Sequence, residues 1–268
     1  MITPHTNHDI TATDWLSTLV QCANEADQIA KHFYESSTLK ISEKSDQSPV
    51  TEADKKIEDV IRQSICNQFP EIGVIGEEFP DHNQDSNIKL IVDPIDGTSN
   101  FIRGIPIFGT LLAIEKDNVI IAGVISNGVS KQRWVAAKEK GATYNGTKIQ
   151  VSNIKSIEES QAFYGSLYGR EARGDVEKLT HLLSKTKRQR GIGDFMVHMW
   201  VAMGFGEFGI DFGLQPWDIA PIGIIIEEAG GVVTAVNGKP FNIYEGSIIS
   251  SNGKFHEHII QHYNQYAS

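Results

Sequence analysis

The chain has 268 residues, 40% of them hydrophobic and 22% charged, a composition typical of a globular protein with enough length for a sizeable core. The formal net charge is −10 at pH 7 and the longest basic run, 185–190, is short, so binding to nucleic acid through a basic face is not expected. No apolar stretch approaches the ~18 residues of a membrane span, and MITPHTNHDITATDW is unlike a signal peptide, so we expect a cytoplasmic protein that contacts no membrane.

The first half of the chain predicts two helices followed by strands. Apolar residues recur at helical spacing over 11–36, and Thr51 can cap a second helix that runs to about residue 67. Cys22 and Cys66 lie on these helices and form no metal-binding pattern, which indicates free thiols in a reducing compartment. Strands are predicted in EIGVIG, KLIVD and RWVAAKEKGATYNGTKIQV, and a hairpin that turns at 116–118 is predicted in IFGTLLAIEKDNVIIAGVIS.

The second half predicts alternating helices and strands. Helices are expected over 173–187, 193–204, 217–229 and 253–266, and strands over 207–212, 232–236 and 246–251. A polar stretch at 151–159 separates the two patterns, so the sequence predicts an N-terminal α+β half, 1–152, and a C-terminal α/β half, 153–268.

Acidic residues follow apolar runs at three places. Glu77 and Glu78 end GVIG, Asp93 and Asp96 follow KLIV, and Asp218 lies at the start of an apolar helix. The ends of neighbouring strands can bring such side chains together, and magnesium prefers hard oxygen ligands. Because converging carboxylates repel one another, they would need cations, and bound metal would turn an acidic pocket into a phosphate site.

Each of these acids also has a simpler interpretation. Glu77 and Glu78 could form a solvated surface pair, and Asp218 could be a helix N-cap. In DPIDGT, 93–98, turn chemistry explains the proline and the glycine but not both acids. The last two residues of this stretch predict a short helical turn, whose amides could bind a phosphate.

Four motifs, in this order, resemble the inositol monophosphatase family of metal-dependent, lithium-sensitive phosphatases. They are SPVTEAD at 48–54, GEE at 76–78, DPIDGTSNF at 93–101 and PWDIAPIGIIIEEAGG at 216–231. The resemblance spans roughly residues 40–252. It implies a layered αβαβα sandwich of the inositol monophosphatase and fructose-1,6-bisphosphatase type, a small phosphorylated metabolite as substrate, and a homodimer.

The resemblance also implies a set of metal ligands. Glu77, Asp93 and the carbonyl of Ile95 would hold one magnesium ion, and Asp93, Asp96 and Asp218 would hold a second. We expect two or three Mg²⁺ in each active site. Metal ions bridged by a carboxylate can lower the pKa of a bound water and offset the charge of a phosphoryl group.

The same resemblance implies roles in catalysis and substrate binding. Glu77 and Thr98 would orient and deprotonate the attacking water, and Asp54 would support Thr98. Asp96, Gly97 and Thr98 would contact the substrate, and the amides of Gly97 and Thr98 would surround its phosphate.

The stretch RGIGDF at 190–195 bears on the identity of the phosphate ester. Inositol phosphatases usually carry small residues there, whereas RGIGDF, QRWVAAKEKGA and WDIAP are similar to the histidinol-phosphate phosphatase branch. Asp194 and Asp211 could pair with the amine or imidazole of a cationic amino alcohol, and Arg190, with Gly193 nearby, could orient the phosphate or the ring. Asp194 could instead be a first-turn acid favoured by the helix dipole. Inositol-1-phosphate, or a range of sugar and nucleotide phosphates, therefore stays open as the alternative.

Two further patterns imitate known motifs. GFGEFG at 204–209 matches a dinucleotide-binding fingerprint and would suggest an NAD-dependent oxidoreductase, but it follows a predicted helix and precedes a strand, the reverse of the required order. His258 and His262 have the spacing of a zinc-binding helix, but no glutamate follows the first histidine, so a solvated surface is expected.

Overall fold

The structure, a computed structural model, describes residues 10–34, 36, 39–44, 49–165 and 176–265. The chain divides into two units, 1–140 and 141–268. The predicted boundary after residue 152 lies C-terminal to this division. Among the helices in the described ranges, none is long and apolar enough to cross a membrane.

Two long helices pack on the sheet of the first unit, as the sequence predicts. Helix α1 (Ala12–Tyr34) and helix α2 (Glu52–Gln68) bury apolar faces that include Trp15 and Ile57. Thr51 caps α2: its Oγ1 accepts a hydrogen bond from Ala53 N at 3.1 Å, and Asp54 Oδ2 accepts one from Thr51 N at 2.8 Å. This reciprocal capping fixes the start of α2, and with it the position of Asp54.

The strands of the first unit follow one another in the sheet. Strands β1 (Ile41–Glu43) and β2 (Pro49–Thr51) form a separate antiparallel pair that the sequence did not predict. The main strands are β3 (Gly73–Gly76), β4 (Ile88–Asp96), β5 (Gly109–Lys116), β6 (Val119–Asn127) and β7 (Gln132–Ala137), in that order, with only β3 and β4 parallel. The predicted β5–β6 hairpin is confirmed, because Asp117 and Asn118 both have positive φ, 52° and 63°, as a tight hairpin turn requires.

Strand β4 continues beyond the point where the sequence predicted its end. It runs through Asp93 to Asp96, with a register shift between these two residues. Pro94 lies within the shift and has no N–H to give to a ladder, which is consistent with irregular pairing there. The predicted helical turn is confirmed as α3 (Thr98–Ile102), preceded by Gly97 at φ 82°, a conformation that glycine adopts without steric cost.

The second unit contains a five-stranded mixed sheet and four helices among its described residues. Strands β8 (Gly141–Tyr144) and β9 (Thr147–Lys148) form a short antiparallel pair, and a 3₁₀ turn spans Ile157–Glu159. The five-stranded sheet has the order β11-β10-β12-β14-β13. Its strands are β10 (Gln161–Tyr164), β11 (Arg188–Gly191), β12 (Phe208–Phe212), β13 (Val232–Thr234) and β14 (Ser247–Ser251). The helices are α4 (Val176–Leu183), α5 (Met196–Ala202), α6 (Pro216–Glu228) and α7 (His256–Gln265).

Two strands and several helix ends in the second unit differ from the predictions. Strands β10 and β11 were missed; β11 is a short, largely exposed edge strand of sequence RQRG, so it lacks the alternating apolar pattern of a strand. The predicted helix over 173–187 ends at Leu183 instead, and positions 173–175 lie outside the described residues. The predicted helix over 193–204 begins only at Met196.

Candidate active site

The end of β4 brings two predicted metal ligands together. Asp93 is 2% exposed, Asp96 is partly buried, and a carboxylate oxygen of one lies within 4.8 Å of a carboxylate oxygen of the other. The carbonyl oxygen of Ile95, between them, lies 2.9 Å from Thr98 Oγ1. The register shift in β4 thus places two carboxylates and a carbonyl at the start of α3.

Asp54 reaches the same place from the first turn of α2. It is fully buried, and its Oδ1 lies 3.3 Å from Thr98 Oγ1, while its Oδ2 accepts hydrogen bonds from the amide and hydroxyl of Thr51 at 2.8 and 2.6 Å. Burial raises the pKa of Asp54; the Thr51 hydrogen bonds oppose that shift, and the charge of Glu77 adds to it. The structure therefore places Asp54, Thr98 and Ile95 in one chain of contacts.

Glu77 lies just after β3 and is paired with a lysine that the sequence did not single out. Lys44 Nζ lies 2.6 Å from Glu77 Oε1 and 2.6 Å from Glu78 Oε1. Burial raises the pKa of Glu78 to about 7, with a contribution from the charges of Glu77 and Asp54, while Lys44 lowers it. Burial alone would lower the pKa of Lys44, but its hydrogen bonds and charge interactions with both glutamates raise it. The interpretation of Glu77 and Glu78 as a solvated surface pair is wrong, since both are partly buried and share a cation.

Asp218 lies in the first turn of α6. Its Oδ2 accepts a hydrogen bond from Gln215 N at 2.7 Å, and the two residues form a capping box in which Gln215 is the N-cap. The alternative that Asp218 is itself the N-cap is therefore wrong by three positions. The capping interaction uses one carboxylate oxygen to orient the side chain at the helix start.

The two predicted specificity acids lie in the second unit. Asp194 precedes α5 with φ +62°, so it does not lie in the first turn of the helix, contrary to the expectation. Burial raises its pKa to about 6. Asp211, on β12, is 4% exposed; burial raises its pKa to about 7, the Phe212 amide opposes the shift, and the charges of Asp194 and Asp218 add to it. These acids are therefore electrostatic neighbours in a poorly solvated place.

Glycine makes room for Asp211. A Cβ added to Gly165 would lie 1.8 Å from Asp211 Oδ2, so a larger residue would displace the carboxylate.

Two further predicted substrate residues, Arg190 and Gly193, lie near the end of the edge strand β11. Arg190 is exposed and its NH1 donates to the carbonyl of Gln189 at 2.8 Å, whereas a Cβ added to Gly193 would meet nothing within 4 Å.

The donor set at the end of β4 fits a hard divalent cation. Carboxylates and a carbonyl are the ligands that Mg²⁺ prefers. The residues present are therefore suited to magnesium. At Glu77 the ammonium group of Lys44 lies 2.6 Å from the carboxylate, so a metal ion bound there would compete with it.

Comparisons with known proteins agree with this chemistry. The sequence model of the Inositol monophosphatase family matches residues 12–268. The chain belongs to the inositol monophosphatase family. It is 32% identical over 256 residues to a histidinol-phosphatase of Mycobacterium tuberculosis, covering 94% of this chain and 98% of that protein. It is 31% identical over 242 residues to an inositol-1-monophosphatase of Mesorhizobium japonicum, covering 88% of this chain and 91% of that protein.

Solved structures of the inositol monophosphatase family confirm the predicted fold class. The SuhB protein of Bartonella henselae superposes with a TM-score of 0.88 at 28% identity, over 94% of this chain and 99% of that one. An inositol monophosphatase from Anabaena superposes with a TM-score of 0.84 at 28% identity, over 94% of this chain and 96% of that one. The protein is a phosphoric monoester hydrolase of this metal-dependent family. The predicted homodimer and cytoplasmic location stay predictions.

Because the chain belongs to the inositol monophosphatase family, the interpretation of GFGEFG as the dinucleotide-binding motif of an oxidoreductase is wrong. The stretch follows α5 and ends within β12, with helix and strand in the reverse of the dinucleotide-binding order. A Cβ at Gly206 would lie 2.4 Å from the ring of Phe163, so the glycine serves packing in the second unit.

Proposed function

We propose that this protein is a magnesium-dependent histidinol-phosphate phosphatase. The observation that carries the choice of substrate is that the partly buried Asp194 and the 4%-exposed Asp211 are electrostatic neighbours, since two such carboxylates suit a cationic group better than the hydroxyls of an inositol ring. The resemblance to curated histidinol-phosphatases at 32% identity supports the same choice.

In this proposal the carboxylates at the strand ends hold two or three Mg²⁺. By the family resemblance, Glu77, Asp93 and the Ile95 carbonyl would hold one ion, and Asp93, Asp96 and Asp218 would hold another. Bound magnesium supplies Lewis acidity, which lowers the pKa of water and offsets the charge of the phosphate dianion. Magnesium bound by these acids would supply the positive charge with which a protein of net charge −10 binds a phosphate.

The chain's own residues then orient the reacting groups. Thr98 and Glu77 position and deprotonate the attacking water, and the buried Asp54 carboxylate, 3.3 Å from Thr98 Oγ1, holds that hydroxyl in place. The internal hydrogen bonds of α3 begin with the amides of Asn100 and Phe101, which donate to Gly97 O. Because the amides of Gly97 and Thr98 lie outside that set, they can donate to phosphate oxygens.

At the other end of the substrate, Asp194 and Asp211 receive the amine or imidazole. Burial raises the pKa of both carboxyls, and a cationic ligand would offset the cost of charging them. Arg190, with Gly193 nearby, orients the phosphate or the ring.

Release of phosphate from a panel of esters tests the proposal. Histidinol phosphate, inositol-1-phosphate, glycerol 2-phosphate and a nucleoside monophosphate are each assayed with magnesium and with chelator. We expect histidinol phosphate to have the highest kcat/KM, and we expect chelator to abolish turnover and magnesium to restore it. Preference for inositol-1-phosphate would favour the alternative function, which the relative from Mesorhizobium japonicum supports. Substantial turnover in chelator would contradict the metal-dependent mechanism itself.

A further inference from the structure

A buried ion pair on α2 holds the segment that carries Glu77. Glu58 is 0% exposed, and its Oε1 accepts a hydrogen bond from Arg62 Nε at 2.8 Å. Its Oε2 accepts a second from the backbone amide of Glu78 at 2.8 Å. The carboxylate thus links α2 directly to the residue that follows Glu77.

Arg62 extends this contact along the same segment. Its NH2 donates to the carbonyl of Phe79 at 3.1 Å and its NH1 to the carbonyl of Pro80 at 3.0 Å, and its guanidinium lies 5.8 Å from the centre of the Phe79 ring. Residues 77–80 belong to no helix or strand, so no regular backbone ladder fixes their position. The side chains of Glu58 and Arg62 supply the hydrogen bonds that such a ladder would give.

Gly76 shows how closely the pair packs against this backbone. A Cβ there would lie 2.2 Å from Glu58 Oε1 and 3.0 Å from Arg62 NH2. Two side chains of one helix therefore hydrogen-bond to the backbone of three of the five residues 76–80, and they leave no room for a side chain at Gly76. Burying an ion pair is costly unless its geometry and additional hydrogen bonds compensate, and here every remaining bond goes to this segment.

We propose that Glu58 and Arg62 are positioning residues for Glu77: the pair holds residues 76–80 so that the Glu77 carboxylate stays in place to bind magnesium. The inference rests on the proposed function, in which Glu77 is a metal ligand. Removing a group that hydrogen-bonds to a metal ligand and orients it typically reduces metal affinity or activity by ~10–100-fold.

A second ion pair provides a matched control. Lys89 and Glu115, on β4 and β5, lie 3.3 Å apart with side chains 16% and 3% exposed, compared with 15% and 0% for Arg62 and Glu58. Glu115→Gln therefore disrupts a comparable buried pair in the same unit without touching residues 76–80. Glu58→Gln retains an amide oxygen but loses the charge that holds Arg62.

The experiment measures the Mg²⁺ dissociation constant of chelator-treated protein by calorimetry, and separately kcat at saturating Mg²⁺ and thermal stability. We expect Glu58→Gln to weaken Mg²⁺ binding about tenfold and Glu115→Gln to leave it unchanged, although both lower the melting temperature. Equal Mg²⁺ constants in the wild type and Glu58→Gln would make the pair merely structural and overturn the inference.

Arg62→Lys keeps the inference testable where Glu58→Gln does not fold. Lysine retains the charge beside Glu58 but lacks the fork that reaches both carbonyls, so weaker Mg²⁺ binding, by severalfold, is expected. An unchanged constant would overturn the inference. If the wild type showed no magnesium-dependent turnover, the proposed function would be wrong. If the wild type needed magnesium but Glu58→Gln left the Mg²⁺ dissociation constant unchanged, only the positioning role would be wrong.

Discussion

The ammonium group of Lys44 lies 2.6 Å from Glu77 Oε1, at a carboxylate proposed to bind magnesium. The same group lies 2.6 Å from Glu78 Oε1, so one lysine offsets the charge of both glutamates. A divalent cation that binds Glu77 must therefore compete with this ammonium. Lys44 is only 21% exposed at its side chain, which reduces the screening of the pair by solvent.

Lys44→Met should lower the Mg²⁺ concentration needed for half-maximal activation, because it removes the competing cation from Glu77. The apo protein should also lose stability, since two glutamates are left without their counter-ion. Titration of activity with magnesium and thermal unfolding with and without magnesium measure both effects. Lys40→Met is the control, because Lys40 is 84% exposed and lies 4.0 Å from Glu52. Weaker magnesium activation in Lys44→Met would contradict the competition.

Asp93→Asn should reduce kcat by at least ~10³-fold, because Asp93 is proposed to bridge two metal ions and the amide removes one formal charge from both. The fold should survive, since the substitution keeps the shape of a side chain at the end of β4. Steady-state kinetics at saturating magnesium, with circular dichroism for the fold, test the variant against the exposed Asp85→Asn. A variant that keeps a tenth of wild-type activity would show that Asp93 is not the bridge.

The sequence predicted most elements of the first unit because their signals are local. Helical periodicity, the Thr51 cap and the turn at Asp117 and Asn118 each depend on neighbouring residues, and the structure confirms them. The end of β4 was misplaced because a proline normally interrupts a strand, and here the interruption is a register shift.

The contacts that surround the candidate site could not be predicted in the same way. Lys44 pairs with a residue 33 positions away, and Glu58 with one 20 positions away, so neither leaves a local pattern. Asp194 follows a glycine and precedes an apolar run, as a first-turn acid would, yet it adopts a left-handed backbone outside the helix. Metal-ligand candidates were recognisable from DPIDGT, whereas the groups that position them depend on tertiary packing.

Stability at acidic pH should depend on His198. This residue is 1% exposed, its Nδ1 lies 2.7 Å from Ser250 Oγ, and its Nε2 has no hydrogen-bond partner within the described part of the chain. Burial lowers the pKa of His198 to about 3, whereas an unfolded histidine titrates near ~6.5. The unfolded state therefore binds more protons between these values, and this histidine lowers stability as the pH falls through that window.

His198→Asn should flatten this acid dependence, because an amide can keep the bond to Ser250 but does not titrate. The free energy of unfolding by urea, measured from pH 7.5 to pH 4, should fall less steeply than in the wild type, by up to ~1.4 kcal/mol for each pH unit. Because other groups also titrate, the quantity to compare is the difference between the two curves. Parallel curves would mean that His198 titrates with the same pKa in the folded and the unfolded protein.

Asp194→Asn should separate substrate recognition from catalysis. Asparagine tolerates the positive φ of this position about as well as aspartate does, so the loop before α5 should keep its shape. The variant loses the charge that would pair with the amine or imidazole of histidinol phosphate, and a charged hydrogen bond contributes ~1.5–3 kcal/mol. We expect kcat/KM for histidinol phosphate to fall by roughly ten- to a hundredfold. Hydrolysis of glycerol 2-phosphate should hardly change, because that ester has no cationic group and the metal ligands are intact. Equal losses on both esters would show that Asp194 is a structural acid, and the choice of histidinol phosphate would then lack its main support.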